Sequence, residues 1–170
     1  MAITRNYGVT PVLSEAGGHP GTAILTRPNT VTPYAINDAI GDVSGSAIIE
    51  FTNMGPVGAD IYITSLTLEI DAATSTIGTT NLRLYNVLPP TAIADNDAWD
   101  VPVADRGKYI DGIFIQTPID LGSTLMASVD GINKQISLVG SSVFAILTTD
   151  IVFTPVASIV YRLTLHAIEL

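Results

Sequence analysis

From Ser158 to Glu169 the chain alternates: Ile159, Tyr161, Leu163, Leu165 and Ala167 share one parity, and Ser158, Arg162, Thr164 and His166 the other. A period of two over such a length describes a half-buried antiparallel strand. No stretch of about 11 residues or more keeps the 3.6 period of an amphipathic helix. Other β signals follow one another closely: Thr22 to Thr26, Val31 to Ile36, Ser46 to Thr52, Asp60 to Ile70, Asn81 to Val87, Lys108 to Gln116, Leu121 to Val129, Lys134 to Val139, Val143 to Thr148 and Ile151 to Phe153. Pro33 makes Val31 to Ile36 an edge strand or a bulge. Asp130-Gly131, between two apolar runs, predicts a hairpin turn. Short strands at such spacing, with turn signals between them, build a sandwich or barrel. Roughly eight to ten strands in one domain favour an all-β, antiparallel two-sheet sandwich of jelly-roll type.

Asp60 to Ile70 carries a local irregularity. Ile61 and Ile63 lie on one parity, while Leu66, Leu68 and Ile70 lie on the other. A one-residue slip inverts every side chain, so a bulge near Thr64 and Ser65 would keep both halves facing the core; the alternative is a strand that changes partner sheet, as at sandwich corners. Before the first strand, Met1 to Gly21 is rich in Gly and Pro and shows no sustained period. It reads as an extended arm (1–21) ahead of one sandwich domain (22–170).

The 170 residues suffice for one core. The chain has no cysteine, which excludes disulfides, thiolate metal sites and a thiol nucleophile. Lys+Arg number 7 against 16 Asp+Glu, a net charge of -9, which argues against binding nucleic acid or an anionic membrane. Charged residues are only 14% of the chain, well below the usual quarter or so, so part of the surface is expected to be covered by other chains. No run is long enough for a membrane-spanning helix, and the N-terminus has no signal-peptide core.

Chemistry-bearing residues are few. The loop Ala94-Asp95-Asn96-Asp97-Ala98-Trp99-Asp100 makes Asp95, Asp97 and Asp100 weak candidates for a hard cation, against the plainer reading of turn capping. Trp99 is expected to pin this loop to the sandwich, with sugar stacking or a subunit contact as alternatives. His19 and His166 lack the further ligands that a zinc site needs. Gly41-Asp42-Val43-Ser44-Gly45 departs from the nucleophile-elbow pattern and reads as a polar turn. Glu50 and Glu69 lie within strands and could project to one face, as a catalytic pair would, but strand glutamates are more often solvent-facing. The expectation is a non-enzyme, without a cofactor.

Two groups of segments resemble a known family. They are Ile63-Thr64-Ser65-Leu66-Thr67-Leu68-Glu69-Ile70 with Asn81-Leu82-Arg83-Leu84-Tyr85-Asn86, and Asp95-Asn96-Asp97-Ala98-Trp99 with Tyr109-Ile110-Asp111-Gly112. With Tyr161-Arg162-Leu163-Thr164-Leu165, they resemble head decoration (cement, or auxiliary capsid) proteins of tailed bacteriophages. The resemblance implies a structural virion protein on the outer capsid surface, made in the bacterial host cytoplasm. Its implied partners are the major capsid protein and itself, as a homotrimer, with neither nucleic acid nor membrane. By position in the chain, Ile3, Arg5, Tyr7, Val9 and Pro11 of the arm, together with Trp99, are the expected contacts to capsid or protomer. The alternative is a carbohydrate-binding or receptor-binding sandwich module, lectin-like or from a phage tail tip.

Overall fold

A computed structural model describes residues 18–72 and 77–170. Among them are nine strands and no helix: β1 (Gly18–Thr26), β2 (Ile48–Phe51), β3 (Asp60–Ile70), β4 (Thr80–Tyr85), β5 (Tyr109–Ile115), β6 (Ile119–Asp120), β7 (Leu125–Ser137), β8 (Val143–Thr149) and β9 (Val160–Glu169). They form a five-stranded sheet, β1-β9-β3-β7-β6, and a four-stranded sheet, β2-β8-β4-β5. Every pairing is antiparallel. β1 pairs with β9, β2 with β8, β3 with β7 and β4 with β5. This nested pairing, with the chain passing repeatedly between sheets, is a jelly-roll sandwich.

Alternation decides which side chains fill the space between the sheets. On β9, Tyr161, Leu163, Leu165 and Ala167 are buried, and Arg162 and His166 are exposed. They pack with Leu66, Leu68 and Ile70 of β3 and with Leu82, Leu84, Ala145 and Leu147 of the opposite sheet. The switch in β3 is a bulge. Ile63 pairs with Ala167 and Ser65 with His166, so Thr64 is an extra residue relative to β9. Ile61, Ile63, Leu66, Leu68 and Ile70 are consequently all buried.

Asp130-Gly131 is not a hairpin turn. β7 runs unbroken through it, and the register against β3 jumps from Ile63↔Lys134 to Ser65↔Asp130. The excess residues 131–133 form the other side of the irregularity, with Gly131 at φ 66° and Asn133 at φ 56°. The Asp-Gly pair supplies the left-handed backbone that a turn would need, but a bulge within a long strand uses it instead. Val31 to Ile36 is also not a strand. Pro33 withholds a donor, and only the isolated bridge Tyr34↔Phe153 forms there. Ile151 to Phe153 contributes only the other half of that bridge.

The arm ends earlier than its composition suggests. Gly18 to Gly21 belong to β1 and pair with Ile168 to Leu165, so the sandwich begins at least by Gly18. Ile3, Arg5, Tyr7, Val9 and Pro11 lie outside the described residues.

Candidate functional site

The long connection between β4 and β5 folds back over the outer face of the four-stranded sheet. Tyr85, Ile146, Phe144 and Ile48 project from that face, and Ile93, Trp99 and Tyr109 close on them in a second, smaller apolar cluster with Ala39 and Ala47. Trp99 is the pin. Its indole N–H donates to the Tyr85 hydroxyl at 3.1 Å, its ring lies 5.7 Å from that of Tyr109, and the Arg83 guanidinium sits 4.2 Å from its centroid. These contacts fit the expectation that Trp99 fastens the loop, and with the guanidinium over one ring face they leave it poorly placed as a stacking platform.

The acidic residues of the loop are divided between tasks. Asp95 turns inward to a buried polar network. It accepts from Arg27 Nη2 at 3.1 Å, from the Gly41 N–H at 2.8 Å and from the Tyr34 hydroxyl. Arg27 and Tyr34 are fully buried, and the Asp95 side chain is 12% exposed. Arg27 also donates through Nε to Tyr34 and through Nη1 to the Val156 carbonyl, at 3.2 Å. One ion pair thus ties together the end of β1, the 27–47 segment, the β4–β5 connection and the segment before β9. Burial, followed by the hydrogen bond to Asp95, pushes the Tyr34 hydroxyl far above the usual tyrosine range.

Asp97 instead caps a turn, accepting from the Ala94 N–H at 2.8 Å. Asp95, Asp97 and Asp100 are therefore not a shared cation site, and the described residues hold no cluster of three or more potential ligands with metal-binding geometry. Asp97 and Asp100 do line an open pocket of about 330 Å³, with Asp105, Tyr85, Pro89, Ile93, Pro102 and Ile146. Burial, partly offset by the Trp99 hydrogen bond, raises the Tyr85 hydroxyl pKa, and the nearby Asp105 charge adds to the rise.

The remaining polar candidates do not converge. His19 lies in β1 rather than in an arm, opposite Ala167 and one position from the Pro20↔His166 pair. Pairing makes the histidines near neighbours, but the pleat puts them on opposite faces of the sheet. Glu50 and Glu69 sit on different sheets, Glu50 accepting from the Ser142 hydroxyl at 2.7 Å. Gly41 to Gly45 is a turn: the Asp42 carboxylate accepts from the Ser44 and Thr26 N–H groups at 2.8 and 2.9 Å. Burial opposes ionisation of Asp42, but these backbone donors outweigh it and lower its pKa.

Sequence reasoning missed Arg27, Tyr34 and Asp105. Arg27 and Asp95 are 68 residues apart, and no local pattern joins them. The one available signal was an Arg directly after an alternating strand in a chain with only seven Lys and Arg.

One end of the sandwich has a different character. Segments 27–47, 116–124 and 150–159 meet there. Val31, Ile36, Ile119, Leu121, Ile151, Val152 and Val156, all on these segments, are exposed, most of them above half.

No family model and no curated protein matches the chain. Among solved structures, it is similar to the N-terminal endo-1,4-beta-D-xylanase 10B of Clostridium thermocellum, CBM22-1-GH10 modules complexed with xylohexaose. The identity is 11%, the match covers 91% of this chain and 26% of that chain, and the TM-score is 0.26. A similarity of this degree carries no argument about function.

Proposed function

We propose that this chain is a structural virion protein that binds the outside of a tailed-phage capsid and stabilises the lattice of major capsid subunits. The observation that carries the reading is the apolar end of the sandwich, where seven exposed aliphatic side chains lie on the connecting segments and the short edge strand β6. Burying such side chains against a partner is favourable, and each aliphatic side chain is worth about 1.5–3 kcal/mol when fully covered. The scarcity of charge fits the same role, since charged residues are depleted at interface cores. A protein that binds only the assembled shell stabilises it by mass action, without chemistry. A homotrimer at capsid joints is part of the proposal.

Two measurements test it. Light scattering behind a sizing column gives the molar mass, alone and with shells assembled from a tailed-phage major capsid protein. Co-sedimentation with those shells measures binding. The expected result is saturation at a fixed ratio, weakened at least tenfold when Val31, Ile36, Val152 and Val156 are changed together to Ser. A chain that never co-sediments with the shells refutes the reading. Removing residues 2–17 while keeping β1 tests whether the N-terminal segment is needed for docking.

A further inference from the structure

The two sheets end in four strands, β1 and β6 on one and β2 and β5 on the other. Three of these edges are short or charged: β6 has two residues and Asp120, β2 four and Glu50, β5 seven and Asp111. β1 has nine residues and no Asp, Glu, Lys or Arg. A long, uncharged edge is a template for an added strand. The Thr26 N–H donates to Asp42 Oδ2 at 2.9 Å and the Thr26 carbonyl accepts from the Val43 N–H at 2.7 Å, both away from β9, whereas the Arg27 N–H donates to the Ile159 carbonyl. Backbone groups alternate sides along a strand, so Ile24 and Thr22 also turn theirs outward. Pro20 shares that parity, and an outward position is where a strand tolerates a missing N–H. Among the described residues no strand pairs with β1 on that side. A groove of about 390 Å³ lies beside it, with Thr22 to Leu25 on one wall and Ile48 to Glu50 of β2 on the other.

We propose that this edge takes residues 1–17 of a second copy as an added strand, and that the exchange, repeated around a three-fold axis, closes the homotrimer. The inference rests on the trimer named in the proposed function and gives it a site. Three observations select this occupant. Residues 1–17 directly precede β1 in the sequence. At about 3.3 Å per residue they reach up to about 55 Å, well beyond the roughly 17 Å of a five-residue strand. From Met1 to Ser14 the only charged residue is Arg5, and the groove holds Asp42 and Glu50 with no Lys or Arg. A return onto the chain's own β1 is disfavoured. Gly18 is already paired with Ile168, so the reversal must be complete by Gly17, and the next outward position, Pro20, offers no N–H. A head-to-tail exchange closes into a ring, each copy giving one strand and receiving one. Ile24, 60% exposed, is then covered by the incoming strand.

The test is molar mass by light scattering, together with amide exchange at Thr22 and Ile24. The full chain is expected to be a trimer with both amides protected about a hundredfold or more. Removing residues 2–17 should give a folded monomer in which both exchange freely. A synthetic peptide of residues 1–17 added to that monomer should restore their protection, with a Kd on the order of 100 µM. Ile24→Pro deletes one outward N–H and keeps the whole N-terminal segment; it should also be monomeric, and it decides the matter if the truncation does not fold. A full chain that is monomeric, a truncation or an Ile24→Pro variant that stays trimeric, or a peptide that leaves Thr22 and Ile24 unprotected would each overturn the inference. A monomer with both amides protected would overturn it too, assigning the edge to the chain's own segment. Capsid binding is read separately: a trimer built this way that never co-sediments with shells defeats the capsid reading and leaves the exchange standing.

Discussion

Replacing Asp95 by Ala should be among the most damaging single changes to this fold. The substitution strips Arg27 of its counter-ion and leaves the Tyr34 hydroxyl and Gly41 N–H without their acceptor. Arg27 is completely buried and, as a guanidinium, cannot shed its charge. Breaking a buried ion pair from one side costs about 3–5 kcal/mol. The reverse change, Arg27→Met, should fall at the low end of that range, because the 12% exposed Asp95 keeps the Tyr34 hydroxyl and the Gly41 N–H as donors. Urea unfolding at pH 7 measures both. With a slope of about 2 kcal/mol per molar, a loss of 4 kcal/mol lowers the midpoint by about 2 M. The double variant Arg27→Met/Asp95→Leu should lose clearly less than the sum of the single variants, a coupling above about 1 kcal/mol. A loss below about 1 kcal/mol in Asp95→Ala, or strict additivity in the double variant, would show that the network does not hold the loops as argued.

Other outcomes follow from single sites. Gly41→Ala would place its Cβ 2.6 Å from the Asp95 Cα, a backbone clash, so thermal unfolding should drop by several degrees. Burial raises the hydroxyl pKa of Tyr34 and Tyr161 above the unfolded value of 10.0, so their contribution is complete below that pH and falls as pH rises past it. Spectrophotometric titration should find these two tyrosines protonated until the alkaline unfolding transition, and their ionisation while the fold persists would contradict this. For Asp42, whose pKa is lowered from 3.8, the contribution is present above that value and lost as pH falls through the lowered one. The stability of Asp42→Asn should accordingly lie closest to the parent in acid, below that lowered pKa, and furthest below it near neutrality, as read from denaturant midpoints.

The last strand shows how much was legible locally. Periodicity records which side of a strand meets the core, so the exposure of each residue of β9 followed from Ile159 to Ala167 alone. The parity switch in β3 was readable too, but a bulge and a change of partner sheet both explain it, and the unchanged pairing with β7 and β9 decided for the bulge. Asp130-Gly131 was not, since its left-handed backbone serves a turn and a bulge equally, and the partner strand made the choice.

From its sequence alone this protein could be assigned an all-β sandwich, antiparallel strands, the core faces of β3 and β9 and a surface poor in charge. These are short-range consequences of residue type and spacing. The tertiary structure decided which distant residues share an environment: Arg27 with Tyr34 and Asp95, the histidines on opposite faces of one strand pair, and Trp99 under Arg83. Such meetings depend on strand order and on where long connections fold back, and those are set by the free energy of the whole core rather than by any segment within it.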